Sequence, residues 1–218
     1  MTSRKEELEI NLKGVQQEVS AFNPTLIVVT KTYPVSDVEI LHNLGVSNFG
    51  ENRSSEGLAK SEAVSAQWHY QGAIQSKKIR EILAWADCIH SLDDYGHAEK
   101  IDRVLNEDGR KIDAFLQLSL DGNPERGGVV AENLNSFASE VSLLKSINIL
   151  GIMSVPPVEM NPALAFESIS KIQQRFIQDF PAAPYLSAGM SGDYLIALEH
   201  GATHIRVGSK ILGPREYH

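Results

Sequence analysis

The chain has 218 residues, 42% hydrophobic and 22% charged, with a formal net charge of -8, a balance that suits one large or two small soluble globular domains. The acidic charge argues against a nucleic-acid partner held through phosphates. The single cysteine, Cys88, excludes an internal disulfide and fits a reducing, cytoplasmic setting, and neither a signal peptide nor a membrane-spanning apolar run is found.

In chain order, residues 4–21 predict an amphipathic helix, because Leu8, Leu12, Val15 and Val19 recur at spacings of three and four. Asn23-Pro24 ends it. The stretch 25–31, TLIVVTK, then reads as a strand whose apolar run stops abruptly at Thr30. Four apolar residues run together, three of them β-branched, as in a parallel sheet buried on both faces. Pro34 cannot continue a ladder, so Lys31 is left at the C-terminal end of a central strand, where α/β proteins bind ligands. Such a lysine is a cation for a phosphate, a neutral amine able to form a Schiff base, or a side chain that has simply reached solvent.

A helix from Ser36 to Gly45 follows, with Asp37 and Glu39 in its first turn. The alternation then repeats. Strands are predicted at 46–50, 67–72, 88–91, 112–120, 147–155, 185–189 and 204–207. Helices between them start near Ser76, Asp94, Ala131, Asn161 and Ser191, with another reaching Ser65. About eight strands, each followed by a helix or the start of one, match a closed (β/α)8 barrel; a doubly wound open sheet usually has fewer strands. No stretch reads as an interdomain linker. The expected architecture is therefore one barrel domain over 1–218 with an extra N-terminal helix.

The strand C-termini of such a barrel form one rim. They deliver Lys31, then Asn52 and Glu51, then His69 and Gln75, then Met153 and Ser154, then Gly189-Met190-Ser191-Gly192, then Arg206, Gly208 and Ser209. GMSGD at a strand-to-helix turn offers backbone N–H groups and a hydroxyl to an anion, and VGSK repeats that chemistry after the eighth strand. Barrels often bind phosphate in these two loops, though Ser191 could equally be an ordinary helix cap. Strand eight closes against strand one, so the lysine and the phosphate loops should be adjacent. A phosphorylated aldehyde held as a Schiff base fits that arrangement, with pyridoxal 5'-phosphate the obvious candidate.

The chain resembles the pyridoxal phosphate homeostasis proteins, whose barrel is of the alanine racemase type. The motifs that carry the resemblance are VVTKTYP around Lys31, NFGENR at 48–53, WHYQGAIQSKK at 68–78, GIMSVPP at 151–157, LSAGMSGD at 186–193 and HIRVGSKILGPREY at 204–217. The resemblance implies that Lys31 carries the cofactor and that Ser191, Gly208 and Ser209 hold its phosphate; the helix start expected at Ser191-Gly192 adds Gly192 to that cup. It also implies that Arg206 faces the pyridine nitrogen and that Asn52 and Met153 line the ring pocket. Two positions depart from the family pattern: Gln71 stands where an apolar residue is usual, and Lys77 where Asn is usual.

Other residues have plainer readings. His69 is expected to be a core or rim histidine, His204 structural, Trp85 packing and Cys88 a buried small residue. His90, His97 and Cys88 lack metal-ligand spacing, so no metal is expected. Alternation over 204–207 points Arg206 inward; an outward Arg206 paired with Glu199 is the other arrangement.

Three functions use the same lysine: a non-enzymatic protein that stores, buffers or delivers the cofactor, an amino-acid racemase or decarboxylase, and a class I aldolase. The related racemases and decarboxylases carry a second, β-rich domain, which is expected to be absent after the eighth strand. No tyrosine reads as a second acid/base. The non-enzymatic role is therefore favoured, for a monomer whose partners are the cofactor and, transiently, apoenzymes that take it up.

Overall fold

The computed structural model describes residues 3–214. Helix α1 (Arg4–Val19) starts at a capping box, in which the Glu6 N–H donates to Ser3 Oγ and Glu6 Oε2 accepts from the Ser3 N–H. It buries Leu8, Leu12, Val15 and Val19, the stripe read from the sequence.

The strands are β1 (Thr25–Val29), β2 (Asn48–Glu51), β3 (Gln67–Tyr70), β4 (Cys88–Leu92), β5 (Ile112–Ser119), the two-residue β6 (Val129–Val130), β7 (Ile147–Ser154), β8 (Tyr185–Ser187) and β9 (His204–Val207). All pairings are parallel. The order β4-β3-β2-β1-β9-β8-β7-β5 closes through β4–β5 into an eight-stranded barrel, with β6 hung on β5. The helices between strands are α2 (Val35–Asn43), α3 (Ser54–Ala63), α4 (Ile79–Leu83), α5 (Tyr95–Asp108), α6 (Ala131–Val141), α7 (Pro162–Asp179) and α8 (Tyr194–Glu199); α9 (Ser209–Leu212) follows β9. This is the expected (β/α)8 barrel. The small elements β6 and α9 were not expected, being too short to show a period.

Strand alternation sorts the core into two parts. Outward residues such as Val28, Phe49, Trp68, Leu116, Ile205 and Val207 pack under the helices. Trp85 joins them, edge-on to Trp68. Inward, Cys88, Phe115 and Met153 form a separate apolar cluster. The rest of the interior holds the buried polar groups His69, His90, Ser187 and Arg206.

At the rim the first strand ends at Val29, where the apolar run stops, and Lys31 lies just past it. The Thr30 N–H still bonds Gly50 O at 3.0 Å, but Thr30 O accepts from the Tyr33 N–H at 3.0 Å and closes a β-turn with Lys31 and Thr32 inside it. The helix expected from Ser191 begins at Tyr194. Residues 190–193 instead form a turn, in which Met190 O accepts from the Asp193 and Tyr194 N–H groups and Asp193 Oδ1 accepts from the Met190 N–H at 2.6 Å. Asp193 thus closes the turn, and Ser191 is not a cap. Parts of the GPREY motif, 215–217, lie outside the described residues.

Candidate functional site

β1 pairs with β9 from Thr25↔His204 to Val28↔Val207, so the chains leaving both strands emerge side by side. Gly208 lies against the end of β1: a Cβ there would stand 3.1 Å from Val29 O. A side chain there would crowd the end of β1, so glycine lets the loop after β9 come close to the Lys31 turn without displacing it. Ser191 reaches across from the loop after β8, its Oγ accepting from the Gly208 N–H at 3.1 Å and, more weakly, from the Lys210 N–H at 3.4 Å. The two predicted phosphate loops are therefore joined, with backbone N–H groups converging on one hydroxyl. Ser209 opens α9 and is exposed, and Gly192 is exposed with open space around it. Lys31 is half-buried.

Arg206 points inward, is 5% exposed, and donates from Nη1 to Ser187 Oγ at 2.7 Å and from Nη2 to Ser154 O at 3.3 Å. Among the described residues no carboxylate comes within ion-pair distance of it; Asp193 acts only at longer range. Burial pushes its pKa down to about 10, so the guanidinium stays charged at neutral pH.

From Ser187 a chain of hydrogen bonds crosses the barrel interior. Ser187 Oγ meets His90 Nδ1 at 2.8 Å, His90 Nε2 meets His69 Nδ1 at 2.9 Å, and His69 Nε2 meets Asn48 Oδ1 at 3.0 Å. Burial holds both imidazoles neutral, His69 down to about 3 and His90 well below its usual value. Neutrality then sets the directions. His69 Nε2–H donates to Asn48, so His69 Nδ1 accepts from His90 Nε2–H. His90 Nδ1 accepts from the Ser187 hydroxyl, whose oxygen accepts from Arg206. Every bond points one way, and Arg206, which can only donate, heads the chain.

The sequence missed this network because its members lie on β2, β3, β4, β8 and β9. It also missed that His69, Cys88 and His90 bring ligand-type atoms within 4.8 Å of one another. All four imidazole nitrogens of that pair are engaged in the hydrogen bonds above, and burial raises the Cys88 thiol well above its usual pKa.

Met153 is buried on β7 and, with Gln117, floors a cavity of about 530 Å³ whose rim carries Gln71, Asp93 and Arg126. Gln71, the departure from the family pattern, fills space over Gly50, where a Cβ would lie 2.5 Å from Gln71 Nε2. That Nε2 is buried without a partner among the described residues. Asn52 is half-buried beyond β2, its carbonyl packed against Gly72. The Gln75–Lys78 segment is exposed, a 3-10 turn before α4.

The family model for the alanine racemase N-terminal domain matches residues 4–216. A pyridoxal phosphate homeostasis protein of Corynebacterium glutamicum is 39% identical over 198 residues, covering 87% of this chain and 90% of that protein. The chain belongs to the pyridoxal phosphate homeostasis protein family. Another member, from Synechocystis sp., is 33% identical over 93% of this chain. PipY of Synechococcus elongatus PCC7942 has a solved structure with a TM-score of 0.88 at 30% identity, covering 94% of this chain and all of that one, and has also been solved with PLP bound. Alanine racemase of Clostridium difficile 630 shares the fold, at a TM-score of 0.81 and 14% identity, with this chain covering 60% of it. No helix among the described residues of this family member is long and apolar enough to cross a membrane.

Proposed function

We propose that this protein binds pyridoxal 5'-phosphate, with the aldehyde held as a Schiff base on Lys31 and the phosphate on Ser191, Gly192, Gly208 and Ser209, and that it stores, buffers or delivers the cofactor without turning over amino acids. The observation that carries the reading is the Gly208–Ser191 junction: N–H groups converging on a hydroxyl, beside the turn that holds Lys31. A phosphate dianion suits such a donor set. The PLP-bound structure of PipY and the names of the curated relatives support the ligand.

When bound, the cofactor supplies an electrophilic aldehyde on an electron-withdrawing ring. Arg206 then determines what that ring can do. Opposite the pyridine nitrogen, as the family resemblance implies, a guanidinium can only donate. The nitrogen is held as an acceptor, and the ring is a weaker electron sink than a protonated one. The Ser187–His90–His69 chain supports this role, because it leaves Arg206 a neutral hydroxyl and a carbonyl to bond rather than a carboxylate. Asn52 and Met153 complete the ring pocket in this reading.

Borohydride reduction of the cofactor-loaded protein followed by peptide mapping tests the lysine. The label is expected on Lys31; a label on Lys77 or Lys210 instead would sink the assignment. Incubation with L- and D-amino acids tests the absence of turnover. Racemisation or CO₂ release near the median enzymatic rate of about 10 per second, lost in Lys31→Ala, would make the protein an enzyme.

A further inference from the structure

Behind the Lys31 turn, on the outer face of β1 and β2, lies a buried ion pair with no part in the cofactor contacts above. Lys60 on α3 is 4% exposed, and Glu51 at the end of β2 is fully buried. Lys60 Nζ donates to Glu51 Oε1 at 2.6 Å and to Thr30 O at 2.7 Å, and is 3.5 Å from Glu56 Oε2. The Thr30 hydroxyl donates to the same Glu51 oxygen at 2.6 Å. Glu56 Oε2 accepts from the Thr32 N–H at 2.7 Å. The residues on either side of Lys31 are thus both gripped, Thr30 by Lys60 and Glu51, and Thr32 by Glu56.

The turn being gripped is strained. Thr32 has a φ of 72°, in the region where a β-turn takes glycine at its third position and where a β-branched residue is an outlier. Such strain persists only when its surroundings over-determine it, and it tends to gather at ligand sites. Glu51 Oε2 adds a second sign of strain, being buried with no partner among the described residues. A buried charge pair is weak evidence for stability in itself; here its further bonds go to Thr30, which precedes Lys31, and to Glu56, which itself holds the Thr32 N–H.

We infer that Lys60, Glu51 and Glu56 are positioning residues that hold the strained turn Thr30–Tyr33 and so aim Lys31 at the aldehyde carbon of its ligand, an inference that rests on Lys31 being the attachment point. The clamp acts on the covalent bond and not on the phosphate or the ring, because none of its hydrogen bonds reaches Arg206, Ser191 or Gly208 and each of them holds a residue beside Lys31 or another member of the clamp.

Two probes separate these effects. Pyridoxal 5'-phosphate carries the aldehyde; pyridoxine 5'-phosphate has the same phosphate and ring but an alcohol, and cannot bond covalently to an amine. In Glu51→Gln/Lys60→Met, which removes both buried charges together, and in Glu56→Ala, on a partly exposed helix position, affinity for the aldehyde is expected to fall at least tenfold. Affinity for the alcohol is expected to stay within twofold. Adding Thr32→Gly to Glu56→Ala should recover most of the loss, because glycine takes a positive φ without help. If the double variant does not fold, the Glu56→Ala pair decides alone. Equal loss for both probes, no loss for either, or no recovery with Thr32→Gly would overturn the clamp. A wild-type protein that gives no hydride-fixed label on Lys31 would instead overturn the attachment itself, and the clamp with it.

Discussion

Ser191 caps no helix but joins two loops. Its hydroxyl oxygen accepts from the Gly208 and Lys210 N–H groups, which leaves its proton to donate to a phosphate oxygen bound beside them. Hydrogen bonds to a charged group contribute about 1.5–3 kcal/mol, on the order of ten- to a hundredfold in affinity. Ser191→Ala is therefore expected to weaken pyridoxal 5'-phosphate by that factor and unphosphorylated pyridoxal hardly at all. Titration of both ligands checks this; equal losses would mean that the serine serves the loops and not the phosphate. Arg206 is a second test at this scale. Arg206→Glu offers the ring nitrogen an acceptor, and should shift the visible spectrum of the loaded protein by restoring ring protonation. An unchanged spectrum at full occupancy would put Arg206 away from the ring.

At the scale of the elements, glycines show where two backbones must touch. Gly151 on β7 pairs with Tyr185 on β8, and a Cβ at 151 would fall 1.8 Å from Tyr185 O. That contact is backbone, so it cannot be relieved by rotating a side chain. Gly151→Ala is expected to cost at least about 1–3 kcal/mol, the scale of overpacking, and to open the seam beside Met153 and Ser187. Gly14 is the opposite case. It sits exposed inside α1 with nothing within 4 Å of a built Cβ, so Gly14→Ala should stabilise by roughly 0.5–1 kcal/mol. Urea unfolding measures both; the opposite signs are the expectation, with the m-value unchanged.

The whole molecule carries its polar interior as a dependence on pH. Burial lowers His69 to about 3 and His204 to about 4, the latter also through the Arg206 charge, and holds His90 well below its usual value. All three are neutral in the fold, whereas in the unfolded chain they take up protons below about pH 6.5. The unfolded state then binds more protons, so stability falls as pH drops from about 6.5 toward 3–4 and is fully present above 6.5. Each histidine contributes a slope of up to about 1.4 kcal/mol per pH unit. Burial raises the Glu51 carboxyl, which works in the opposite sense. A variant comparison isolates the histidine part: between pH 7 and 5, His90→Asn should lose stability less steeply than the parent chain. Parallel slopes would mean that His90 takes up a proton in the fold as readily as it does unfolded.

The alternating elements, the buried faces of α1 and β1, and the position of Lys31 just past a central strand were legible in the sequence, because hydrophobic period and turn residues are local. The resemblance carried over whole motifs, and so reached Ser191, Gly208, Ser209 and Arg206 without geometry. What those side chains touch was decided by barrel closure. Strand pairing sets β2 beside β3, β3 beside β4 and β8 beside β9, and only then do His69, His90, Ser187 and Arg206 become one chain. His69 and His90 are 21 residues apart; His69 reads as a core or rim histidine, and His90 only as lacking metal-ligand spacing. Lys60 is a charge on a helix that the sequence does not single out, yet it is buried against Glu51 and Thr30 because α3 folds back over the ends of β1 and β2. The release of Ser191 from the start of α8 came from Asp193, whose side chain closes its own turn. Each of these is a pairing between groups distant along the chain, and a one-dimensional pattern does not encode which distant partner satisfies a buried donor.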